Sequence, residues 1–196
     1  MIRAEQKEKA HRRIVAAAAR QLREDGLAGA GVQRIMQEAG LTHGGFYSHF
    51  DSKEELIAEA MKAALAKGRK RLLAGAGAPG PERRRHMLRR YLSRAHRDAP
   101  GAGCPLPSTS ADVARAPASV RSAYDRELRE IIASFEAEFP DLEAKDAHAH
   151  AVGTLALCVG SLLLARAGLD RALSDDILYS CRQYVAESEE TAKNEY

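Results

Sequence analysis

Between Ile35 and Leu56 the chain gathers side chains suited to meeting a polyanion. His43, Tyr47, Ser48 and His49 place donor tips along one short helical stretch, with Thr42 before it and Lys53 after it. Hydroxyl, imidazole and ammonium groups are the usual partners of phosphate oxygens and base edges. Gly44 and Gly45 offer base edges no side chain but let a backbone approach closely. Base reading therefore leans on His43, Tyr47, Ser48 and the shape of the duplex. Gln33 and Arg34, ten residues upstream, are placed to reach the opposite phosphate backbone. The run Arg3, Lys7, Lys9, Arg12 and Arg13 reads as an arm for phosphates or the minor groove.

A second chemistry centres on Cys104. It sits in a loop, Asp98 to Pro107, after a helix carrying Arg83, Arg84, Arg85, Arg89, Arg90, Arg94 and Arg97. Nearby cations favour the reactive thiolate, so Cys104 is a candidate sensor of electrophiles or oxidants. A tight helix connection that merely buries a small side chain is the competing reading. Cys104 with His86 or His96 could also form a nucleophilic pair, which keeps a helical thiol-dependent enzyme or scavenger as the alternative function. No oxyanion motif or paired acid accompanies it, and no enzyme is expected. His148 and His150 lie two apart and diverge on a helix. Neither a metal nor a cofactor is expected. Gly75, Gly77 and Gly80 match GxGxxG, but a helix precedes them and Pro79 interrupts them, so the dinucleotide reading fails.

These residues must be held by helices. The 196 residues include 37 Ala and 20 Leu against 7 Val, 7 Ile and 4 Thr, which argues for an all-α fold. The first helix is expected over residues 7–24, with Ile14, Ala18 and Leu22 on one stripe and Gly26 as its stop. Residues 32–39 and 43–50 then form a helix-turn-helix. Small Ala39 lets the two helices cross closely, Gly40 supplies positive φ, and Leu41 plugs the junction with Ile35, Phe46 and Phe50. Thr42 can cap the second helix. Ser52-Lys53-Glu54-Glu55 is a capping box opening the next helix, which runs to about Leu73. Residues 75–81 read as a linker. Helices follow at about 82–97, 108–115, 117–139, 142–166 and 174–188, and the acidic tail from Glu187 reads as disordered.

Charge divides unevenly. Residues 1–73 carry 14 Lys/Arg and 9 Asp/Glu, whereas residues 74–196 carry 16 and 18. The basic first third suggests a polyanionic partner. Three cysteines without a CxxC fit a reducing compartment. No basic cluster leads into an apolar run and cleavage site, and the apolar run 152–165 is too short to span a bilayer. A cytoplasmic protein with no membrane partner is the expectation.

The sequence Tyr47-Ser48-His49-Phe50 followed by Ser52-Lys53-Glu54-Glu55-Leu56, with Ile35 and Ala39-Gly40-Leu41-Thr42 before it, resembles the DNA-binding domain of TetR-type transcriptional regulators over residues 12–65. Two positions depart from that pattern: Gly31 where the family often has Thr, and Met36 where it often has Ala. The resemblance implies a helix-turn-helix DNA-binding domain over 1–52 and a connecting helix over 53–74. A six-helix ligand-binding and dimerisation domain would follow over 82–190. It implies phosphate contacts by Tyr47, His49 and Lys53, a palindromic double-stranded operator, a homodimer, and a repressor released by a small molecule. The Gly103-Cys104-Pro105-Leu106 stretch is similar to one that makes some members respond to electrophiles or oxidants. Tyr91, His96, Tyr124 and Phe135 are expected in the ligand pocket. On the eighth helix Ala149, Gly153, Ala156 and Gly160 form a flat small-residue face, which with Ile177, Cys181 and Tyr184 of the last helix is the expected dimer surface.

Overall fold

The computed structural model describes the backbone of residues 2–74 and 77–194 and the side chains of residues 4–74 and 77–186. Among these residues the chain is all-helical and contains no strand. The order is α1 (Ile2–Gly29), α2 (Val32–Glu38), a 3-10 helix (His43–Ser48), α3 (Lys53–Leu73), α4 (Pro81–Tyr91) and α5 (Arg94–Asp98). A second 3-10 turn (Pro100–Ala102), α6 (Leu106–Val113), α7 (Ala118–Glu136), α8 (Ala144–Ala167) and α9 (Arg171–Asn194) complete it. They form two compact units, Met1–Gly68 with Pro100–Leu128, and Arg69–Ala99 with Arg129–Tyr196.

The first unit is built on the α1 stripe. Ile14, Ala18 and Leu22 are fully buried, as are Ile35 and Met36 of α2 and Leu56, Ala60 and Met61 of α3. Phe46 and Phe50 stack at 5.7 Å between ring centroids and fill the same core. Leu41, expected in the core, is only half-buried, because the turn carries it to the rim.

The second unit packs α8 against α9 and ties α5 to both. Arg97, 6 % exposed, donates to Ser174 Oγ at 2.8 Å, Asp175 Oδ1 at 2.7 Å and Asp98 Oδ1 at 2.9 Å. Ser174 Oγ in turn donates to the carbonyl of Ala165 at 2.6 Å, closing the α8–α9 turn. Arg166 of α8 donates to the carbonyls of His96 and Arg97. A buried guanidinium is tolerable because its donors meet carboxylates and a hydroxyl.

Gly26 interrupts α1 as expected, with non-helical φ 71° and ψ −169°, and a short further helical piece runs on to Gly29. Three expectations are corrected. The helix expected over 82–97 is two helices, because Ser93 adopts an extended backbone (φ −110°, ψ 153°) and caps α5, its Oγ accepting from His96 N–H at 3.1 Å. The second helix of the helix-turn-helix pair is 3-10 rather than α. Two consecutive glycines each cost roughly 1 kcal/mol in an α-helix, and short, tight 3-10 segments absorb that. The tail from Glu187 continues helical to Asn194, in keeping with its Glu, Ala and Lys content.

Candidate nucleic-acid interface

The turn of the helix-turn-helix closes as a Schellman motif. Leu41 N–H bonds to the carbonyl of Met36 at 2.9 Å and Gly40 N–H to that of Gln37 at 3.0 Å. Gly40 has φ 69°, which a glycine reaches without strain. The Arg13 guanidinium lies 3.6 Å from where a Gly40 Cβ would stand. The 3-10 helix is pinned inward through Phe46, and its outer side is left to polar groups.

His43, Gly44, Tyr47 and Ser48 are exposed, and Gly45 and His49 are half-buried. Tyr47 is 71 % exposed, its ring edge-on to Phe46 at 5.1 Å. A large aromatic side chain standing that far into solvent gains little from packing. Nothing lies within 4 Å of a Cβ built on Gly44, so the backbone there is open to a ligand. Thr42 is exposed and, against expectation, makes no capping bond with its side chain, which leaves its hydroxyl for an outside partner. Ser48, expected as a base reader, spends its hydroxyl proton on the Gly45 carbonyl at 2.7 Å.

Ser52 opens α3 as expected, its Oγ accepting from Glu55 N–H at 3.1 Å. Glu55 reaches back to the N–H of Asp51 at 2.6 Å rather than to that of Ser52. Lys53 is thus an exposed cation in the first turn of a helix, where the macrodipole disfavours positive charge. An anion bound beside it would reverse that cost. On α2, Gln33 and Arg34 are both exposed, but Arg34 is ion-paired with Asp25 of α1. Lys7, Lys9, Arg12 and Arg13 lie exposed on α1, so the basic run is helical rather than an extended arm. Arg3 lies outside the described side chains.

Cys104 belongs to the same unit, half-buried and not in a disulfide. The arginines expected around it belong to the other unit. Arg23 of α1 lies close enough to be affected by it: its guanidinium is pushed down by burial and held up by Glu24 and Cys104. Arg23 Nε donates to the carbonyl of Gly101 at 2.6 Å, and Ser108 Oγ to that of Leu22 at 3.1 Å. The 100–113 segment therefore sits directly on α1. Position in the chain could not reveal this, since Arg23 and Gly101 are 78 residues apart.

In the second unit Tyr91 and Phe135 line one cavity with Leu72, Arg84, Met87, Leu88, Thr154 and Cys158. His96 does not line it: its ring packs edge-on to Tyr91 at 4.7 Å, with Nδ1 2.7 Å from the Tyr91 carbonyl. Tyr124 lies in the first unit, sharing a hydrogen bond with Ser110 at 2.8 Å.

Of the expected dimer residues, Ala149, Gly153, Ala156 and Tyr184 are exposed, and Gly160, Ile177 and Cys181 are half-buried. α8 is long and apolar enough to cross a membrane by length and composition, and only a third of its most apolar window is buried within the chain. Val152, Leu163 and Leu164 extend its uncovered apolar surface.

Residues 14–60 match the family model for bacterial regulatory proteins of the tetR family. The fold is similar to that of a TetR-family regulator from Agrobacterium tumefaciens, at 18 % identity over 93 % of this chain and 98 % of that one, with a TM-score of 0.75. A TetR regulator from Chloroflexus aurantiacus J-10-FL aligns at 23 % identity over 93 % of this chain and 95 % of the other, TM-score 0.73. The reduced form of E. coli NemR aligns at 22 % identity, 90 % and 94 % coverage and TM-score 0.71. No curated protein sequence matches the chain. Residues 14–60 thus carry the tetR-family helix-turn-helix segment, and the chain as a whole has the fold of the TetR-family regulators with which it aligns.

Proposed function

We propose that the protein is a homodimeric cytoplasmic repressor that binds a palindromic operator and leaves it on chemical induction. The observation that carries this is the outer side of the 3-10 helix. Thr42, His43, Gly44 and Tyr47 stand exposed on a rigidly packed support, with Lys53 at the adjacent helix start. Tyr47, His49, Lys53 and the Thr42 hydroxyl hold phosphates, Gln33 and Arg34 reach the opposite strand, and His43 reads a base. Arg34 must exchange Asp25 for phosphate to do so. Two such heads related by a two-fold axis demand symmetric half-sites. The uncovered apolar stripes of α8 and α9 supply the dimer surface, which a second copy covers.

Release has two candidate triggers. Cys104 lies in a segment seated on α1 of the DNA-binding unit, and an adduct or sulfenic acid there adds bulk where α1 must stay in place. The E. coli NemR structure is of a reduced form, and redox state is carried to this chain as part of the proposal. The apolar cavity lined by Tyr91 and Phe135 has room for little more than a water, so a reversible ligand there must open it on binding. A coupling of about 2–3 kcal/mol between trigger and DNA loosens binding roughly 30- to 150-fold.

The test is a gel shift on the DNA upstream of the protein's own gene, with wild type and Cys104→Ser titrated with a quinone or hypochlorite. Release of wild type alone supports the thiol trigger. Equal release moves the sensor elsewhere, with Cys181 next, and release of neither favours a reversible ligand. Thiol-dependent turnover without DNA binding would replace the regulator by an enzyme or scavenger.

A further inference from the structure

One ring in the DNA-binding unit keeps a nitrogen away from solvent and from every partner. His49 follows the 3-10 helix, and its Nδ1 is buried with no hydrogen bond. The ring as a whole is half-buried, so Nε2 is the nitrogen that an outside group can reach. Across from it on α1 stands His11, 6.0 Å away between ring centroids. His11 is itself held on two sides: it stacks on Phe50 at 4.6 Å and 24°, and its Nε2 lies 2.9 Å from Glu59 Oε1 of α3.

The charges acting on His49 come from α1. Burial first, then His11, then Lys7 push the His49 ring below its ordinary value. From α3 the facing carboxylate is Glu59, which engages His11 rather than His49. In the ring's own segment Tyr47 points to solvent, and the backbone of Asp51 is engaged with Glu55. A charged imidazole carries protons on both nitrogens. The one on Nδ1 would then be buried without an acceptor, which costs the full desolvation of that donor.

Resting on the DNA-binding reading above, we propose that His49 holds an operator phosphate as a neutral ring with its single proton on Nε2, and that His11 is the positioning residue that keeps it so. The contact is then a plain N–H to phosphate-oxygen hydrogen bond, formed without proton uptake at His49. Lys53 supplies the cation at this edge of the site, and His49 supplies direction. This differs from the ordinary expectation for histidine on phosphate, a charged contact that fades as pH rises through the ring's pKa.

The experiment measures affinity for the upstream duplex by fluorescence anisotropy at fixed ionic strength, from about pH 6 to about pH 8.5, a window that brackets the ordinary imidazole pKa. His49→Gln places an uncharged N–H where Nε2 stands, and His49→Asn reaches only as far as Nδ1. His49→Gln is expected to stay within about threefold of wild type, with the ratio constant across the range, and His49→Asn to lose about tenfold throughout, the scale of one hydrogen bond to a charged acceptor. His11→Ala, with His11→Gln as the milder variant, is expected to introduce a pH dependence that wild type lacks at this contact: binding strengthens towards acid once His49 can charge. A wild-type to His49→Gln ratio that climbs about tenfold per pH unit towards acid overturns the proposal while leaving the DNA-binding reading intact. Failure of wild type to bind any duplex overturns that reading and the proposal with it. Nitrogen chemical shifts of the His49 ring decide the tautomer in the protein without DNA: an unprotonated Nδ1 supports the assignment, and an unprotonated Nε2 refutes it.

Discussion

The carboxylate of Asp112 accepts a hydrogen bond from the backbone N–H of Leu27 at 2.9 Å, immediately after the bend at Gly26. The bend frees Leu27 N–H from the helical ladder, and α6 supplies the cap that the local sequence lacks. Gly26 has no alternative there. Its φ of 71° disfavours any side chain, and a Cβ would stand 2.8 Å from Asp112 Oδ2 and 2.9 Å from the Ser108 carbonyl. Backbone strain and packing both select glycine, and together they seat the Cys104-bearing segment on α1.

Gly26→Ala is therefore expected to destabilise the protein by about 1–3 kcal/mol, and Asp112→Ala by about 0.5–2 kcal/mol as a lost cap. The double variant should fall short of the sum, because both changes act on one joint. Urea melts of the three variants check this. Additive losses would show that cap and bend are energetically separate.

Gly153→Leu and Gly160→Leu test the dimer surface with little risk to the fold. Nothing within the chain lies within 4 Å of a Cβ at either glycine, so each leucine points into open space in a lone protomer. If α8 meets a second α8 through these small residues, the leucines force the two backbones apart and the interface must repack. Light scattering should then report monomers with unchanged helical circular dichroism, and operator affinity should fall because a monomer holds one half-site. Intact dimers from both variants would remove this face from the interface.

What could be read in the chain was local. The Gly40 turn, the Ser52 cap and the Phe46 and Phe50 core all follow from residues a few positions apart, and all are present. The missed features depend on partners far along the chain. Asp112 caps Leu27 from 85 residues away, and Arg23 reaches Gly101 from 78, so a cation-rich neighbour in sequence was the wrong guide to the surroundings of Cys104. Two misses were local competitions that propensity alone does not settle: Ser93 preferring its own cap to a continuous helix, and paired glycines tightening the recognition helix. Of the four aromatic and imidazole pocket candidates only Tyr91 and Phe135 reach the cavity, since apolar periodicity marks the inside of a bundle without separating wall from filler.

Within the head, roles separate by what each contact carries. If Tyr47 and Lys53 hold phosphates as proposed, Tyr47→Phe and Lys53→Ala should weaken all duplexes alike, and Lys53→Ala should also reduce the salt slope by about one ion. His43→Ala should change the preferred base instead, by about 1–3 kcal/mol at one position. Ser48→Ala should leave the selected sequence unaltered, because that hydroxyl already serves the Gly45 carbonyl. Selection from a randomised duplex pool with each variant distinguishes these outcomes. A motif unchanged by His43→Ala would reassign base reading to Tyr47 or to duplex shape.

The second unit carries its own pH response through His96. Burial, foremost, pushes this ring down, Arg166 and Arg71 add to the effect, and the Tyr91 carbonyl at 2.7 Å opposes it. The folded ring is therefore harder to protonate than the same ring in the unfolded chain, whose pKa is about 6.5. Below that value the unfolded state binds more protons, so stability rises with pH in this window. The contribution is complete above about pH 6.5 and is lost as pH falls through the lower folded value. His96→Asn keeps an N–H in reach of the Tyr91 carbonyl and cannot titrate. Thermal melts should show wild type losing ground to His96→Asn between about pH 7 and about pH 5, the range in which the unfolded ring gains its proton. A gap between the two proteins that stays constant over that range would mean that His96 charges as easily in the folded unit as outside it, and that the edge-on packing against Tyr91 does not hold it neutral.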